Sequence, residues 1–210
     1  KDKSPSTMGI ITDYQIHRFW LYPRIDYYCV PNIEMKNELL QMGWKNSNVK
    51  VTGVPCPIDL PACDQTLDDQ QDFWLVAGGG WGLGNLEETA CSLLKKELNC
   101  KLLIVTGKNQ PLYKRLKALE KKNPKRLAVE GTIPHMYNIM KNALAVLTKP
   151  GGLTVTEAMV LKKPLILLNP LPGAEEKNLN YLINKGAAIS YKTFIDNPDI
   201  ILKWQNLFSE

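Results

Sequence analysis

Residues 147–159, LTKPGGLTVTEAM, carry a lysine, a glycine pair and a glutamate across the change from an apolar strand pattern to a helical one. The chemistry this spacing allows is anion binding. The first N–H groups of a helix have no intrahelical acceptor, and the helix dipole makes that end positive. Gly151 and Gly152, ahead of Thr154 at an expected N-cap, direct those groups to the strand end, and Lys149 adds a full charge. Together they suit phosphate oxygens. Glu157 admits two readings. Thr154-x-x-Glu157 is a capping box, which needs no ligand. A carboxylate also offers two oxygens to two adjacent hydroxyls, as in a ribose. Spacing alone leaves both open.

Two further strand ends could meet a ligand. FWLVAGGGWGLGNLEE, residues 73–88, sets five glycines within seven residues after an apolar strand. Glycine lets backbone amides approach a ligand closely; tight strand–helix packing is the other use of such a run. A dinucleotide fingerprint fails here. Gly78 and Gly80 would need a small residue at Leu83, and Gly80 and Gly82 one at Asn85. The next strand ends in Gly107-Lys108-Asn109 where an acidic residue would hold an NAD ribose, and no Gly-Lys-Ser/Thr closes a phosphate loop. Asn85 and Glu88 read as a capping box, whose carboxylates weaken that helix end as an anion site. NPLPGAEEKNLNYL, residues 169–182, opens a helix with Glu175, Glu176 and Asn178. First-turn acids favour the helix dipole, and paired carboxylates with an amide also bind sugar hydroxyls. Asp13 and His17, four apart just after a strand, form a weaker constellation.

The elements that must position these residues alternate. Strand patterns at 8–12, 27–30, 49–52, 73–77, 101–106, 127–130, 143–148, 164–169 and 188–190 are separated by helical patterns at 33–42, 86–98, 112–122, 136–141, 154–161 and 175–184. Alternation of this kind predicts right-handed βαβ units, an α/β class and parallel sheets covered on both faces. The segment 53–71 holds Pro55, Pro57 and Pro61 before a polar acidic run, which suits a connector. We therefore divide the chain into residues 1–60, with about three strands, and residues 61–210, with enough strands for a complete nucleotide-binding sheet.

Of the 210 residues, 44% are apolar and 22% charged, as in ordinary globular proteins, and the net charge of +5 is mild. The lysines at 121, 122 and 125 with Arg126 read as a solvated loop. The five cysteines are odd in number and lack metal-ligand spacing, which predicts reduced thiols and a cytoplasmic setting. No run of about 18 apolar residues predicts a membrane span. The chain opens directly into a strand and stops within an amphipathic pattern, so it reads as a piece of a longer protein.

TDYQIHRFWLYPRIDYYCVPNIEMKNELLQMG, VTGVPCPIDL, VAGGGWGLGNLEE, IVTGKN and LTKPGGLTVTEAM with LKKPLILLNPLPGAEEKN follow in the order seen in monogalactosyldiacylglycerol synthase-like glycosyltransferases. The sequence resembles that group, which includes the processive diacylglycerol glucosyltransferases and is similar to the GlcNAc transferase that makes lipid II. The resemblance implies a GT-B fold of two facing Rossmann-like domains, complete here on the C-terminal side and partial on the N-terminal side. It implies an inverting transfer from UDP-galactose or UDP-glucose to diacylglycerol or a related lipid, without metal or cofactor and without nucleic acid. It also implies peripheral attachment to the inner face of the membrane through the N-terminal domain. By match, Lys149, Gly151, Gly152, Leu153 and Thr154 would face the diphosphate and Glu157 the ribose. Gly80, Gly82, Gly107 and Lys108 would line the cleft, and Ile133 would offer backbone groups to uracil. Glu175, Glu176 and Asn178 would sit near the hexose. Two positions depart from the family pattern: Ala174 stands where Gln is common, and Thr132 where an aromatic is usual. The family's expected catalytic His belongs to a segment outside these residues. A non-catalytic nucleotide-sugar-binding module is the alternative reading, and a sugar-nucleotide epimerase a third.

Overall fold

The structure is a computed structural model that describes residues 5–57, 72–96 and 100–201. Two parallel sheets carry the chain. The first has the order β1 (Met8–Ile10), β2 (Tyr27–Val30), β3 (Val49–Val51), with α1 (Ile33–Gln41) between β2 and β3. Asn32 caps α1 by accepting from Met35 N at 2.8 Å. Met35 and Leu39 are buried against Tyr28, Val30 and Val49, as their spacing predicts. Met42, the expected third member of that stripe, is instead exposed, because the helix has already ended at Gln41.

The second sheet has six strands: β4 (Phe73–Ala77), β5 (Lys101–Val105), β6 (Leu127–Glu130), β7 (Ala145–Thr148), β8 (Leu165–Leu167) and β9 (Ile189–Ser190). Their order is β6-β5-β4-β7-β8-β9, all parallel. The intervening helices are α2 (Leu86–Leu94), α3 (Gln110–Lys122), α4 (Met136–Asn142), α5 (Gly152–Val160), α6 (Ala174–Asn184) and α7 (Tyr191–Asp196). Strand runs such as Leu102–Val105 are apolar on both faces because helices cover both. Trp74, Val76 and Ile104 join Leu86, Leu93, Leu116 and Phe194 on one side. Leu75, Ala77, Leu103 and Val146 join Met140, Val155, Ala158 and Leu182 on the other.

The expected alternation of strands and helices is therefore present, with ends moved by a residue or two. The boundary expected at 60/61, the later part of the connector and the last residues expected of α2 lie outside the described residues. Arg126 departs from the solvated-loop expectation: its guanidinium donates to the carbonyls of Leu94 at 2.6 Å and Lys96 at 2.5 Å, tying the end of α2 to the turn before β6.

Candidate functional site at the divergence of β4 and β7

The chain leaves β4 toward β5 on one side and returns later to β7 on the other, so the loops beyond these neighbouring strands diverge. Ala77 pairs with both Val105 and Thr148, which sets the starts of three loops side by side. Ligands of open parallel sheets occupy this crevice. The structure brings the 78–84 loop, the 149–151 loop and the 171–175 loop together here. Lys149 marks the meeting: its Cε lies 3.3 Å from where a Gly79 Cβ would be, and its Nζ reaches Glu175 Oε1 at 2.5 Å.

Helix α5 starts earlier than expected. Gly151, in extended conformation, is the N-cap, and Thr154 lies inside the helix. The predicted Thr154–Glu157 capping box is thus absent, because the helix is capped three residues sooner than expected. The N–H groups of Gly152, Leu153 and Thr154 have no acceptor among the described residues, while Val155 N already bonds to Gly151 O at 3.2 Å. At the end of β7, Thr148 Oγ1 is buried without a hydrogen-bond partner among the described residues. Glu157 is half-buried one turn on, with neither a hydrogen bond nor an ion pair among the described residues. Burial pushes its carboxyl above the usual carboxylate range.

The other expected residues fall into three groups. Some glycines serve packing. A Cβ on Gly82 would collide with the Thr106 carbonyl, and one on Gly107 would approach Gly80 O to 2.5 Å. Lys108 N closes this contact on Gly80 O at 2.9 Å. Gly82 and Gly107 are therefore fixed by backbone against backbone rather than by an open cleft. At Gly80, by contrast, a Cβ would meet nothing within 4 Å. The neighbouring Trp81 is 68% exposed, with Lys108 Nζ 5.3 Å from its ring centre. Asn85 donates to the Glu88 carboxylate at 3.0 Å and does not cap the α2 backbone, so the expected capping box there is corrected too. Ile133 is half-buried against the core that α5 shares, and its backbone N–H has no acceptor among the described residues.

The residues expected at a hexose are largely engaged within the protein. Glu175 holds Lys149 through Oε1 and accepts from Leu171 N through Oε2 at 3.0 Å. Lys149 is therefore a tethered cation, and the pair is locally neutral. Exposed Glu176 accepts from Gly173 N at 3.2 Å, the first-turn role. Asn178 is fully buried. Its amide donates to Asp13 Oδ1 at 2.6 Å and Pro150 O at 3.0 Å and accepts from Tyr14 N at 2.8 Å. It is a strut between the two sheets, which overrides the expectation of a sugar contact. His17 packs on Phe19 and Trp20 and accepts from Phe19 N, so it forms no pair with Asp13.

Missed by sequence reasoning was the reason for Gly152: a Cβ there would strike the Thr12 carbonyl of the first sheet. No local signal reveals a contact across 140 residues. Among the described residues no cluster of three metal-ligating side chains occurs, and no helix is long and apolar enough to cross a membrane. The arrangement left open by the protein's own bonds is a row of helix N-terminal amides, a tethered lysine and one unpaired carboxylate. That set can receive an anion and a diol together.

Residues 1–56 match the family described as Monogalactosyldiacylglycerol (MGDG) synthase. Processive diacylglycerol beta-glucosyltransferase of Bacillus subtilis (strain 168) is 32% identical over 191 residues, covering 87% of this chain and 50% of the relative. The chain thus spans about half the length of the curated relatives it matches. MurG of Acinetobacter baumannii superposes with a TM-score of 0.59 at 18% identity, covering 97% of this chain and 60% of that one. UDP-GlcNAc 2-epimerase of Methanocaldococcus jannaschii, solved in complex with UDP-GlcNAc and UDP, superposes with a TM-score of 0.59 at 18% identity over 85% of this chain and 54% of that one. Both structures share the fold. Because residues 74–201, more than half of the sequence, match the Glycosyltransferase family 28 C-terminal domain, the chain belongs to that glycosyltransferase family and has its GT-B architecture.

Proposed function

We propose that this chain provides the UDP-hexose-binding part of a glycolipid glycosyltransferase. The observation that carries the reading is Glu157: a half-buried carboxylate that has no partner among the described residues, one turn beyond three helix amides likewise unbonded there. Desolvating an acid without pairing it is costly, and such a cost is retained where a ligand offsets it. Glu157 accepts from the two ribose hydroxyls, the amides of Gly152, Leu153 and Thr154 receive the diphosphate, and Ile133 meets the uracil edge. Glu175 and Glu176 remain beside the hexose.

In the reaction, a hydroxyl oxygen of diacylglycerol or a related lipid attacks the anomeric carbon while the bond to the β-phosphate oxygen breaks. Inversion follows from attack on the face opposite UDP. The departing diphosphate gains negative charge next to the α5 amides and Lys149, which stabilise it there without a metal or cofactor. The acceptor proton goes to a base in the part of the full protein that the relatives possess beyond this chain. The names of the Bacillus relatives favour glucose over galactose and a β-linked product. The lipid acceptor is met at the inner membrane face, with the enzyme peripherally attached through the N-terminal domain of which residues 1–60 are a part.

Calorimetric titration with UDP, UDP-glucose, UDP-galactose and UDP-GlcNAc tests this. UDP binds, the hexose nucleotides bind more tightly, and Glu157→Ala weakens UDP by about 1–3 kcal/mol through loss of charge-assisted hydrogen bonds. An unchanged affinity in that variant refutes the ribose role.

A further inference from the structure

The loop that follows β1 does not merely border the second sheet; it enters it. Tyr14 belongs to the second sheet's core, where its ring stacks on Tyr181 at 5.4 Å between centroids. Its hydroxyl pairs with Thr156 Oγ1 of α5 at 2.5 Å, and Thr156 Oγ1 also lies 2.6 Å from Gly152 O. The backbone of Tyr14 is held at both ends: its N–H by Asn178 Oδ1 and its carbonyl by Asn32 Nδ2 at 3.1 Å. Asp13 takes the Asn178 amide, whose second hydrogen holds the Pro150 carbonyl inside the Lys149–Gly151 turn. Thr12 occupies the space that only a glycine at 152 leaves free. Lys177 Nζ adds a bond to Ile16 O at 3.1 Å.

Apart from the Tyr181 stack and the Asn32 bond, these contacts land on the first two turns of α5 or α6, or on the turn before α5. These are the segments that present the free amides and orient Glu157. A second inter-sheet contact differs in kind: Lys185 and Glu34 pair at 2.5 Å with both side chains about half exposed, far along α6. Such exposed pairs fix little.

We propose that Asp13, Tyr14 and Asn178 are positioning residues for the donor site. They latch the loop after β1 onto the starts of α5 and α6, so that nucleotide affinity depends on residues no nucleotide atom touches. The buried Asn178 amide is the centre of the latch, since it ties both the incoming loop and the phosphate-facing turn. This inference rests on the UDP-hexose reading for its functional readout, and on hydrogen exchange for a readout independent of it.

The test compares Asp13→Ala, Asp13→Asn, Tyr14→Phe and Lys185→Ala in the 210-residue chain, measuring UDP affinity by calorimetry and amide exchange across residues 152–160 without nucleotide. Asp13→Ala weakens UDP about tenfold, within the usual range of site-to-site coupling, and accelerates exchange in α5. Asp13→Asn, which keeps an acceptor oxygen for the Asn178 amide, restores most of both. Lys185→Ala leaves both as in the parent. Tyr14→Phe, which removes only the hydroxyl, serves if Asp13→Ala does not fold, and shifts both readouts in the same direction. Parent-like affinity and exchange in Asp13→Ala and Tyr14→Phe overturn the latch, as does an equal effect of Lys185→Ala or a change in exchange without a change in UDP affinity. If the parent chain binds no UDP, the nucleotide reading falls by itself, and the exchange comparison alone decides whether the loop holds α5.

Discussion

Helices α5 and α6 begin on neighbouring strands of one sheet, and both carry a glutamate in or just after the first turn. Their carboxylates have opposite fates. Glu175 at the start of α6 is doubly engaged by Lys149 and Leu171, and Glu176 is bonded back to Gly173. Among the described residues Glu157 of α5 has no partner, and burial raises its affinity for a proton. The difference teaches how to tell a structural acid from a waiting one. A carboxylate whose oxygens are occupied by its own fold stabilises that fold; one that is desolvated and left alone lowers stability until something binds it.

The glycines beside the two helices offer the strongest way to break this comparison. Gly152→Ala drives a methyl group into the Thr12 backbone, which cannot retreat cheaply, and should cost about 3 kcal/mol in chemical denaturation. Gly173 has open space around it but backbone angles of φ 102° and ψ −115°, which only glycine adopts readily, so Gly173→Ala should cost about 1–2 kcal/mol from backbone strain alone. Equal costs would mean that the first sheet does not press on α5.

A pair of isosteric changes sharpens the contrast in charge. The Glu157 carboxyl titrates above its unfolded value, so the stability it favours is complete in acid and is lost as pH rises through the folded pKa. Glu157→Gln should therefore raise the melting temperature at neutral pH and change it little near pH 4. Glu175→Gln should lower the melting temperature at neutral pH, because it leaves Lys149 half-buried without its counter-charge. Melting curves across that pH range decide, and a fall in the Glu157 variant at pH 7 would contradict the account of an unpaired acid.

The smallest effect belongs to Glu176. Its exposed carboxylate accepts a single bond from Gly173 N, and the amide oxygen of Gln can do the same. Glu176→Gln should shift stability by less than about 0.5 kcal/mol. A larger loss of UDP-hexose affinity than of UDP affinity in this variant would assign Glu176 to the sugar.

Much of this was legible in the sequence, and its limits are physical. Period and composition locate every strand of the second sheet, because strands buried on both faces are short continuous apolar runs such as LLIV at 102–105. The short helix α7 was missed. Its signal was present in Ser190, which caps it by accepting from Thr193 N at 3.0 Å, and in Phe194, which fills the core four residues later. Helix starts were misjudged where a threonine looked like a cap. At α5 the cap is Gly151, whose side chain offers nothing, so the pattern Thr154-x-x-Glu157 pointed to a bond that never forms. The roles of Asn178 and Gly152 could not be read locally, since each is determined by residues 12–14, more than 130 positions away. Resemblance named the loops correctly as neighbours, but only geometry separates a glycine that faces open space, Gly80, from one that faces a carbonyl, Gly82.

Trp81 stands on the glycine turn at the mouth of the crevice with most of its ring in solvent, whereas Trp74 lies inside the sheet's core. These two of the chain's five indoles differ in hydration, so once Trp20, Trp44 and Trp204 are replaced by Phe their fluorescence should separate by wavelength, the exposed one emitting to the red and open to aqueous quenchers. A molecule settling beside Gly80 would change the emission of one and leave the other as an internal standard. The chain thus carries its own optical gauge of occupancy, with no label to attach.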